Sequence, residues 1–312
     1  RILHKRNTFN FNLYFNWLLN ISIYMKTVNS ISGGKSSCYI ALNYPADYNI
    51  FSLVRTNDTL CKYPDAKVRQ IVSDLIGCEF VGTTEQDNII RIMLDLSEKV
   101  DIKWITGIPF EEVINGDWNR GKNGSHYLPN IMVRYCTTEL KMKPIFKWWQ
   151  KEINEVCKMR IGFRSGEEKR QNRMLEKLNE NGNEEIKIVV GKHDNGNNKW
   201  GVVEWRKPEF PLIEDGIKVK DISDYWNKNK SIRFAKGYYN NCVGCFHRNP
   251  LFLNKMAQEH PNKMEWFAKQ EEINKPNTFR KGITYRKIIN FKPQTELDFD
   301  DFNECDSGYC GL

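Results

Sequence analysis

Residues 26–42 of this chain read KTVNSISGGKSSCYIAL. The first six residues favour a β-strand, two glycines follow, and apolar residues at helical spacing come next. That order places free backbone N–H groups in a concave row at a helix N-terminus, where the helix dipole attracts anions. We call residues 32–37 the anion loop and predict that it binds phosphate or sulfate. The candidate binding residues are Ser32, Gly33, Gly34, Lys35, Ser36 and Ser37.

The anion loop differs from a Walker A loop. That motif has a glycine five residues before its Gly-Lys pair, and Asn29 occupies this position here. The spacing instead resembles the PP-loop of the adenine nucleotide α-hydrolase-like superfamily. This superfamily includes ATP pyrophosphatases, tRNA thiolation enzymes and phosphoadenosine phosphosulfate (PAPS) reductases. The resemblance implies that the anion belongs to an adenine nucleotide.

Strand-like and helix-like segments alternate downstream of the loop. The spacing predicts strands at 50–54, 102–106 and 158–163, and helices at 64–75, 89–100, 137–149 and 167–178. This alternation predicts an α/β fold with a doubly wound, mostly parallel sheet, Rossmann-like and of the PP-loop type. We expect an irregular, cysteine-bearing C-terminal region after it. In such sheets the ligand lies outside the carboxyl ends of the strands, where the anion loop falls.

Composition divides the chain into five regions. We expect a non-native or disordered extension at 1–24 with Met25 as the natural start, a PP-loop nucleotide-binding α/β core at 25–178, a flexible insertion rich in Asn, Gly and charge at 179–199, the remainder of the core with a Cys-x-x-Cys cluster region at 200–289, and an acidic tail at 290–312.

Bulk composition excludes several classes of protein. The net charge of +8 would suit anionic ligands, but the chain has no dense Lys/Arg block that would indicate a nucleic-acid groove. An odd number of cysteines, nine in 312 residues, is not typical of a secreted disulfide scaffold. Asparagines interrupt the apolar N-terminal segment, so we expect no membrane span. We therefore expect a cytoplasmic protein with reduced thiols.

Four further segments resemble elements of the PAPS reductase-like family, and they occur in the family's order. They are RYCTTELKMKP at 134–144 (C-T-x-x-L-K-x-x-P), IGFRSGEEKR at 161–170 (G-[IV]-R-x-x-E-x-x-R), the stretch 208–226 (R-x-P-L…V-x-D-V-x-x-Y) and NCVGC at 241–245 (C-x-G-C). Together with the anion loop, these matches span residues 27–245. The chain thus resembles this family over most of its length.

The second of these segments carries charged residues suited to a nucleotide site. Arg164 and Arg170 are suited to pair with anionic oxygens, because the guanidinium group offers two parallel donors. Glu167 would either orient an arginine or hold Mg²⁺ through its carboxylate. The simpler alternative is a set of salt-bridged surface residues at a helix start. Next to the anion loop we favour the nucleotide site.

Three cysteines in the matched segments are candidate metal ligands. Cys242 and Cys245 are spaced to chelate one metal, and Cys136 would be the third thiolate. The resemblance implies a [4Fe-4S] cluster, which normally takes four cysteines. We take Cys305 as the candidate fourth ligand, since no nearer cysteine follows Cys245. A cluster with an open iron, a zinc ion, a redox dithiol and plain core cysteines remain alternatives.

The C-terminal Tyr309-Cys310-Gly311-Leu312 is similar to the E-C-G-L-H terminus of PAPS reductases, whose cysteine attacks the sulfonyl sulfur. The resemblance makes Cys310 a candidate nucleophile. The surrounding tail is acidic, which disfavours a thiolate until the tail docks in a cationic cleft. The family's Glu is Tyr309 here, and its final His is absent from this sequence.

The sequence therefore predicts an enzyme that binds ATP or PAPS and transfers sulfur or reduces a sulfonucleotide, with Lys35, Arg164 and Cys310 as catalytic residues. With ATP and Mg²⁺, a substrate oxygen would attack the α-phosphate and pyrophosphate would leave. With PAPS, Cys310 would attack the sulfonyl group. Ser36 replaces the usual Asp of the ATP-using members. Expected partners are a sulfur acceptor on tRNA or DNA or a thioredoxin-type reductant, and a homodimer is compatible with the sequence. The alternative is a non-catalytic nucleotide-binding or nucleic-acid modification accessory protein with structural zinc.

Overall fold

The computed structural model describes residues 24–234 and 242–292. The expected extension up to residue 23, the acidic tail from residue 293, Cys305 and Cys310 lie outside the described residues. Among the described residues, no helix is long and apolar enough to cross a bilayer.

One mixed sheet forms the centre of the described structure. Its strands are β1 (Thr27–Ile31), β2 (Tyr48–Leu53), β3 (Lys103–Thr106), β4 (Cys157–Arg160), β5 (Glu184–Lys192) and β6 (Asn198–Glu209). They lie in the order β3-β2-β1-β4-β6-β5. All neighbouring pairs are parallel except β5 with β6. This confirms the predicted α/β class with a mostly parallel, Rossmann-like sheet.

Helices follow most of the parallel strands, as expected for a βα repeat. The helices are α1 (Lys35–Asn43), α2 (Ala66–Ile76), α3 (Asn88–Ser97), α4 (Phe110–Asn115), α5 (Tyr135–Thr137), α6 (Lys143–Glu152), α7 (Glu168–Leu175), α8 (Pro211–Glu214), α9 (Val219–Lys228), α10 (Pro250–Glu259), α11 (Pro261–Ile273) and α12 (Tyr285–Asn290). A π-helical turn, Thr138–Met142, joins α5 to α6. The short 3₁₀ helices are Thr59–Cys61 and Asp117–Asn119.

Side-chain alternation along the strands builds a core on each face of the sheet. In β2, Phe51 packs in a cluster with Trp104 and apolar residues of α1 to α3. Its neighbour Ile50 packs in the opposite cluster with Trp149 and Trp205. A third cluster, centred on α10 to α12, packs beside the carboxyl end of β2. The sheet is therefore covered on both faces. The third cluster forms a separate apolar core beside the carboxyl ends of the strands.

Two regions differ from the sequence-based expectations. The predicted insertion at 179–199 contains most of a β-hairpin, because β5 pairs antiparallel with β6. Along the first part of β5, partly buried residues alternate with exposed ones, as in Ile186, Lys187 and Ile188, which fits a hairpin at the edge of the sheet with one face against the core. The region from 250 to 290, expected to be irregular, forms three helices. Pro250 and Pro261 occupy the first turns of α10 and α11, where a missing N–H costs nothing.

Helix boundaries also differ near Cys136. We expected a helix to begin at Thr137 or Thr138, but helical structure begins at Tyr135. The π turn then inserts before α6. Such turns accommodate an extra residue and often occur at functional sites.

Candidate functional site

The anion loop joins β1 to α1 and has the geometry of an anion cradle. Gly33 adopts a φ of 76°, a left-handed conformation that favours glycine. Gly34 precedes the helix, and no side chain of the described residues caps it there. A helix N-terminus without a side-chain cap favours an anion through the helix dipole. The backbone is therefore shaped as the sequence predicted.

The Ser37 hydroxyl holds the shape of the loop. It accepts from the Ser32 N–H at 3.2 Å and donates to the Gly34 carbonyl at 3.0 Å. Ser37 is buried, whereas Lys35 and Ser36 are partly exposed. Ser37, predicted to donate to the anion, thus uses its hydroxyl for hydrogen bonds within the loop. The side chains of Lys35 and Ser36 are more accessible to a ligand.

A second segment meets the anion loop at the point where the sheet order reverses. The chain runs from β1 to β2 and β3 on one side, and β4 lies on the other side of β1. A ligand crevice forms at such a switch point. Gly162, just after β4, lies beside the anion loop: a Cβ added there would be in ordinary van der Waals contact with Ser36 and Ser37, 3.5 Å from the Ser36 Cβ and the Ser37 nitrogen. The structure therefore brings the two predicted nucleotide-binding segments together.

Glu167 links the two arginines of this second segment. Its Oε2 accepts from the Arg164 backbone N–H at 2.8 Å and from Arg164 Nε at 3.1 Å. Its Oε1 accepts from Arg170 Nη1. Arg170 also lies over the Phe163 ring, 4.1 Å from its centroid. Of the two roles predicted for Glu167, this arrangement matches the orientation of arginines.

The electrostatics of this cluster favour a carboxylate at position 167. Burial alone would raise the pKa of Glu167. The Arg164 backbone N–H and the charges of Arg164 and Arg170 outweigh burial and lower the pKa below its usual range. Glu167 is therefore ionised at neutral pH. It holds both guanidinium groups beside the switch point.

Helix α9 supports the anion loop from behind. The Trp226 indole N–H donates to the Lys35 carbonyl at 3.0 Å. Tyr225 packs edge-on against Tyr39 of α1, with ring centroids 4.7 Å apart. These contacts come from the third matched segment, 208–226. They hold α9 against the first turns of α1.

The three predicted metal-binding cysteines line one cavity. This cysteine cavity is partly open to solvent, and the space between its walls, solvent included, is about 610 Å³. Its walls include Glu85, Arg134, Cys136, Lys141, Cys242 and Cys245. Helix α5 and the π turn supply one wall, and the Cys-x-x-Cys turn supplies another. The structure thus brings together cysteines that are far apart in the sequence.

The thiols of this cavity are desolvated. Burial raises the pKa of Cys136 to about 11, and burial also raises the pKa of Cys242. A bound cation reverses this effect, because it stabilises the thiolate. The cations of Lys141 and Arg134 in the cavity wall would balance part of the charge of several thiolates.

The donor set fits a thiolate-bound metal in its chemistry. Three cysteines face a largely apolar space, and the Glu85 Oε2 atom is buried without a hydrogen-bond partner among the described residues. Within the described ranges, no three or more His, Cys, Asp or Glu side chains lie close enough together to hold a metal ion in their present positions. The side chains would have to converge when a metal binds. Metal binding by Cys136, Cys242, Cys245 and Cys305 stays a prediction.

Sequence reasoning missed Glu85 as a residue of this cavity. It belongs to the polar run Thr83-Thr84-Glu85-Gln86, every residue of which is less than 5% exposed. A polar run of this kind reads as a surface loop, and nothing in its composition indicates burial. The one local feature of this run is that its polar residues show neither helical nor strand periodicity, although apolar segments lie on both sides of it.

The other cysteines of the described residues lie in apolar or helical sequence contexts, which favour packing in the core. Cys38, Cys61 and Cys157 are buried, and Cys78 is partly buried. The same contexts favour packing of Trp148 and Trp149, and both lie in the core.

The chain was compared with models of known protein families, with curated proteins and with solved structures, and none of the three comparisons found a match.

Proposed function

We propose that this chain is a PAPS reductase-like enzyme that binds an adenine nucleotide, ATP or PAPS, on the anion loop and carries out sulfur transfer or sulfonucleotide reduction. The observation that carries the proposal is the proximity of Gly162 to Ser36 and Ser37 at the switch point of the sheet. It places a helix N-terminus close to the segment of the two oriented arginines, where α/β sheets bind ligands.

Each charged residue of the switch point has a distinct role in this proposal. Lys35 neutralises phosphate or sulfate oxygens held by the loop. Arg164 supplies donors to the same anion, and Glu167 keeps its guanidinium in position. Arg170 is held by the same carboxylate and by the Phe163 ring. Catalysis would then come chiefly from positioning and charge neutralisation, as is usual for phosphoryl and adenylyl chemistry.

The two nucleotides imply different steps. With ATP and Mg²⁺, an oxygen of the sulfur acceptor, on tRNA or DNA, attacks the α-phosphate and pyrophosphate leaves. With PAPS, a thiolate attacks the sulfonyl sulfur, adenosine 3′,5′-bisphosphate leaves, and a thioredoxin-type reductant regenerates the thiol with release of sulfite. The candidate nucleophile for the second route is Cys310.

The cysteine cavity would hold the metal centre of this enzyme. Cys136, Cys242 and Cys245 are the proposed ligands of a [4Fe-4S] cluster, which when bound supplies redox or sulfur-binding chemistry. Lys141 and Arg134 line the same cavity and would offset the negative charge of the thiolates. The apolar wall would limit the access of water.

The test begins with protein purified anaerobically. We expect a brown protein that contains iron and sulfide and that either releases pyrophosphate from ATP or reduces PAPS. Lys35→Ala should weaken nucleotide binding about 10- to 100-fold, which is the effect of losing a charge-assisted contact worth about 1.5–3 kcal/mol. Lys67→Ala is the matched control, because Lys67 is an exposed lysine in the first turn of α2.

Two results would contradict the proposal. Unchanged nucleotide affinity in the Lys35 variant would exclude the anion loop as the binding site. A colourless zinc protein with no turnover of ATP or PAPS would instead support the alternative, a non-catalytic accessory protein with structural zinc.

A further inference from the structure

Glu85 is a fully buried carboxylate in the wall that carries the Cys-x-x-Cys turn. It is 1% exposed. The Val243 N–H donates to the Thr84 carbonyl at 2.8 Å, and Glu85 forms an isolated antiparallel bridge with Cys242. The Thr84 hydroxyl lies 3.1 Å from Cys242 Sγ. The backbone around Glu85 is therefore fixed against the cysteine turn.

Only one oxygen of this carboxylate is satisfied. Lys141 Nζ donates to Oε1 at 3.0 Å. The other oxygen, Oε2, is buried and has no hydrogen-bond partner among the described residues. A buried oxygen left in this state costs free energy, on the order of 1–3 kcal/mol, and usually marks a missing ligand, ion or water.

The nearby cation Lys263 does not supply the missing partner. Its Nζ donates to the backbone carbonyl of Glu85 and to Asp87 Oδ1, the latter at 2.7 Å. Glu85 lines the cysteine cavity together with Cys136, Cys242 and Cys245. Its Oε2 and these three thiols together supply four donors, the number that a [4Fe-4S] cluster takes, and the side chains would have to converge when the metal binds.

We infer that Glu85 Oε2 is the fourth ligand of the metal centre, together with the sulfurs of Cys136, Cys242 and Cys245. This inference rests on the proposed metal centre and replaces Cys305 as its fourth ligand. The Lys141 ammonium, bound to the other carboxylate oxygen, orients Glu85, in the way that hydrogen bonds to a ligand commonly do. One iron of the cluster then carries an oxygen ligand, which exchanges more readily than a thiolate.

The first experiment compares the wild type with Glu85→Gln after anaerobic reconstitution with ferrous iron and sulfide. After oxidation with ferricyanide, which accepts the electron released with the departing Fe²⁺, we expect the variant to lose the iron at position 85 more readily than the wild type and to show the electron paramagnetic resonance spectrum of a three-iron cluster. Glu111→Gln is the matched control. Glu111 also has one bonded oxygen, to the Asn57 N–H at 2.7 Å, and one buried oxygen without a partner in the described structure. Unlike Glu85, it is not among the residues lining the cavity.

A second variant and a second probe keep the inference testable if Glu85→Gln does not fold. Glu85→Cys replaces the oxygen donor by a sulfur donor, which becomes a thiolate when the metal binds. Both proteins are loaded with Zn²⁺ alone and examined by X-ray absorption. The wild type should show three sulfurs at about 2.3 Å and one oxygen at about 2.0–2.2 Å, and Glu85→Cys should show four sulfurs.

The failure of this inference is distinct from the failure of the proposed function. A four-sulfur shell in the wild type, reduced to three sulfurs by Cys305→Ser, would overturn the role of Glu85 and leave the metal centre intact. An iron content and spectrum of Glu85→Gln identical to those of Glu111→Gln would also overturn it. A wild-type protein that binds neither iron nor zinc would overturn the metal centre and the inference together.

Discussion

Replacing Glu167 by Gln tests the charge cluster at the switch point. The carboxylate accepts from the backbone and Nε of Arg164 through one oxygen and from Arg170 through the other. An amide retains only one acceptor oxygen, so its NH₂ group would face one of the two guanidinium groups. We therefore expect Glu167→Gln to lose one charge-assisted hydrogen bond completely and to weaken the others.

The structure allows a rough magnitude for this loss. The side chain of Glu167 is 17% exposed, and those of Arg164 and Arg170 are 16% and 22% exposed. A hydrogen bond to a charged group contributes about 1.5–3 kcal/mol, and partial exposure reduces this value. We expect the free energy of unfolding to fall by about 2 kcal/mol at pH 7. For a chain of 312 residues the melting temperature should fall by about 3 °C.

The effect should depend on pH in a defined direction. The folded state lowers the pKa of Glu167, so its contribution to stability is present above the ordinary glutamate pKa of about 4.3. The contribution is lost as the pH falls through the lower pKa of the folded state. The difference in stability between wild type and Glu167→Gln should therefore be largest near neutral pH and shrink below about pH 4.

Urea unfolding at pH 7 and at acidic pH measures both quantities. Glu176→Gln is the control, because Glu176 lies at the end of the same helix and its side chain is exposed. A fall in the free energy of unfolding of less than about 0.5 kcal/mol for Glu167→Gln at pH 7 would be no larger than the effect of an ordinary surface substitution. That result, or a difference that does not vary with pH, would refute the assigned contacts.

Three further predictions concern the loop, the cysteine turn and the C-terminal helices. Gly33→Ala should lower the free energy of unfolding by about 1–2 kcal/mol in urea titrations, because alanine is strained at a φ of 76°; an unchanged value would contradict the loop conformation. Gly244→Ala should cost about 1–3 kcal/mol, because its Cβ would overlap the Phe267 ring, whereas at Gly191 an added Cβ meets nothing among the described residues and the same change should be tolerated. Burial raises the pKa of Glu271 to about 7, so its contribution to the free energy of unfolding is full below about pH 4.5 and is lost as the pH rises through 7. Relative to Glu271→Gln, the wild type should therefore lose about 3 kcal/mol of this free energy between pH 4.5 and 8. Stability curves of the two proteins that run parallel over this pH range would contradict the prediction.

The anion loop and the meeting of Cys136 with the Cys-x-x-Cys turn could be predicted from the sequence, and the place of Glu85 could not. The strand, glycine turn and helix around Gly33 follow one another, so periodicity and turn chemistry suffice to place them. The position of Glu85 depends on contacts with Lys141 and Cys242, distant in the chain. The β5–β6 hairpin is local and was missed for a different reason. Its strands carry β-prone residues such as Ile186, Ile188 and Val202 on either side of Asn195-Gly196, a typical hairpin turn, and the overall Asn, Gly and charge content of the segment was interpreted as a flexible insertion.

The sheet also explains how a cysteine-bearing helical segment is positioned relative to the anion loop. The π turn between α5 and α6 carries Lys141, and its Leu140 carbonyl accepts from the buried Ser52 hydroxyl of β2 at 3.1 Å. At the end of β3, Gly107 approaches the start of α6 so closely that an added Cβ would lie 3.0 Å from Pro144 Cγ. Strand β2 pairs directly with β1, from which the anion loop begins. The cysteine cavity and the anion loop are therefore both attached to the carboxyl edge of one rigid sheet, and their relative position follows from strand order rather than from the intervening loops.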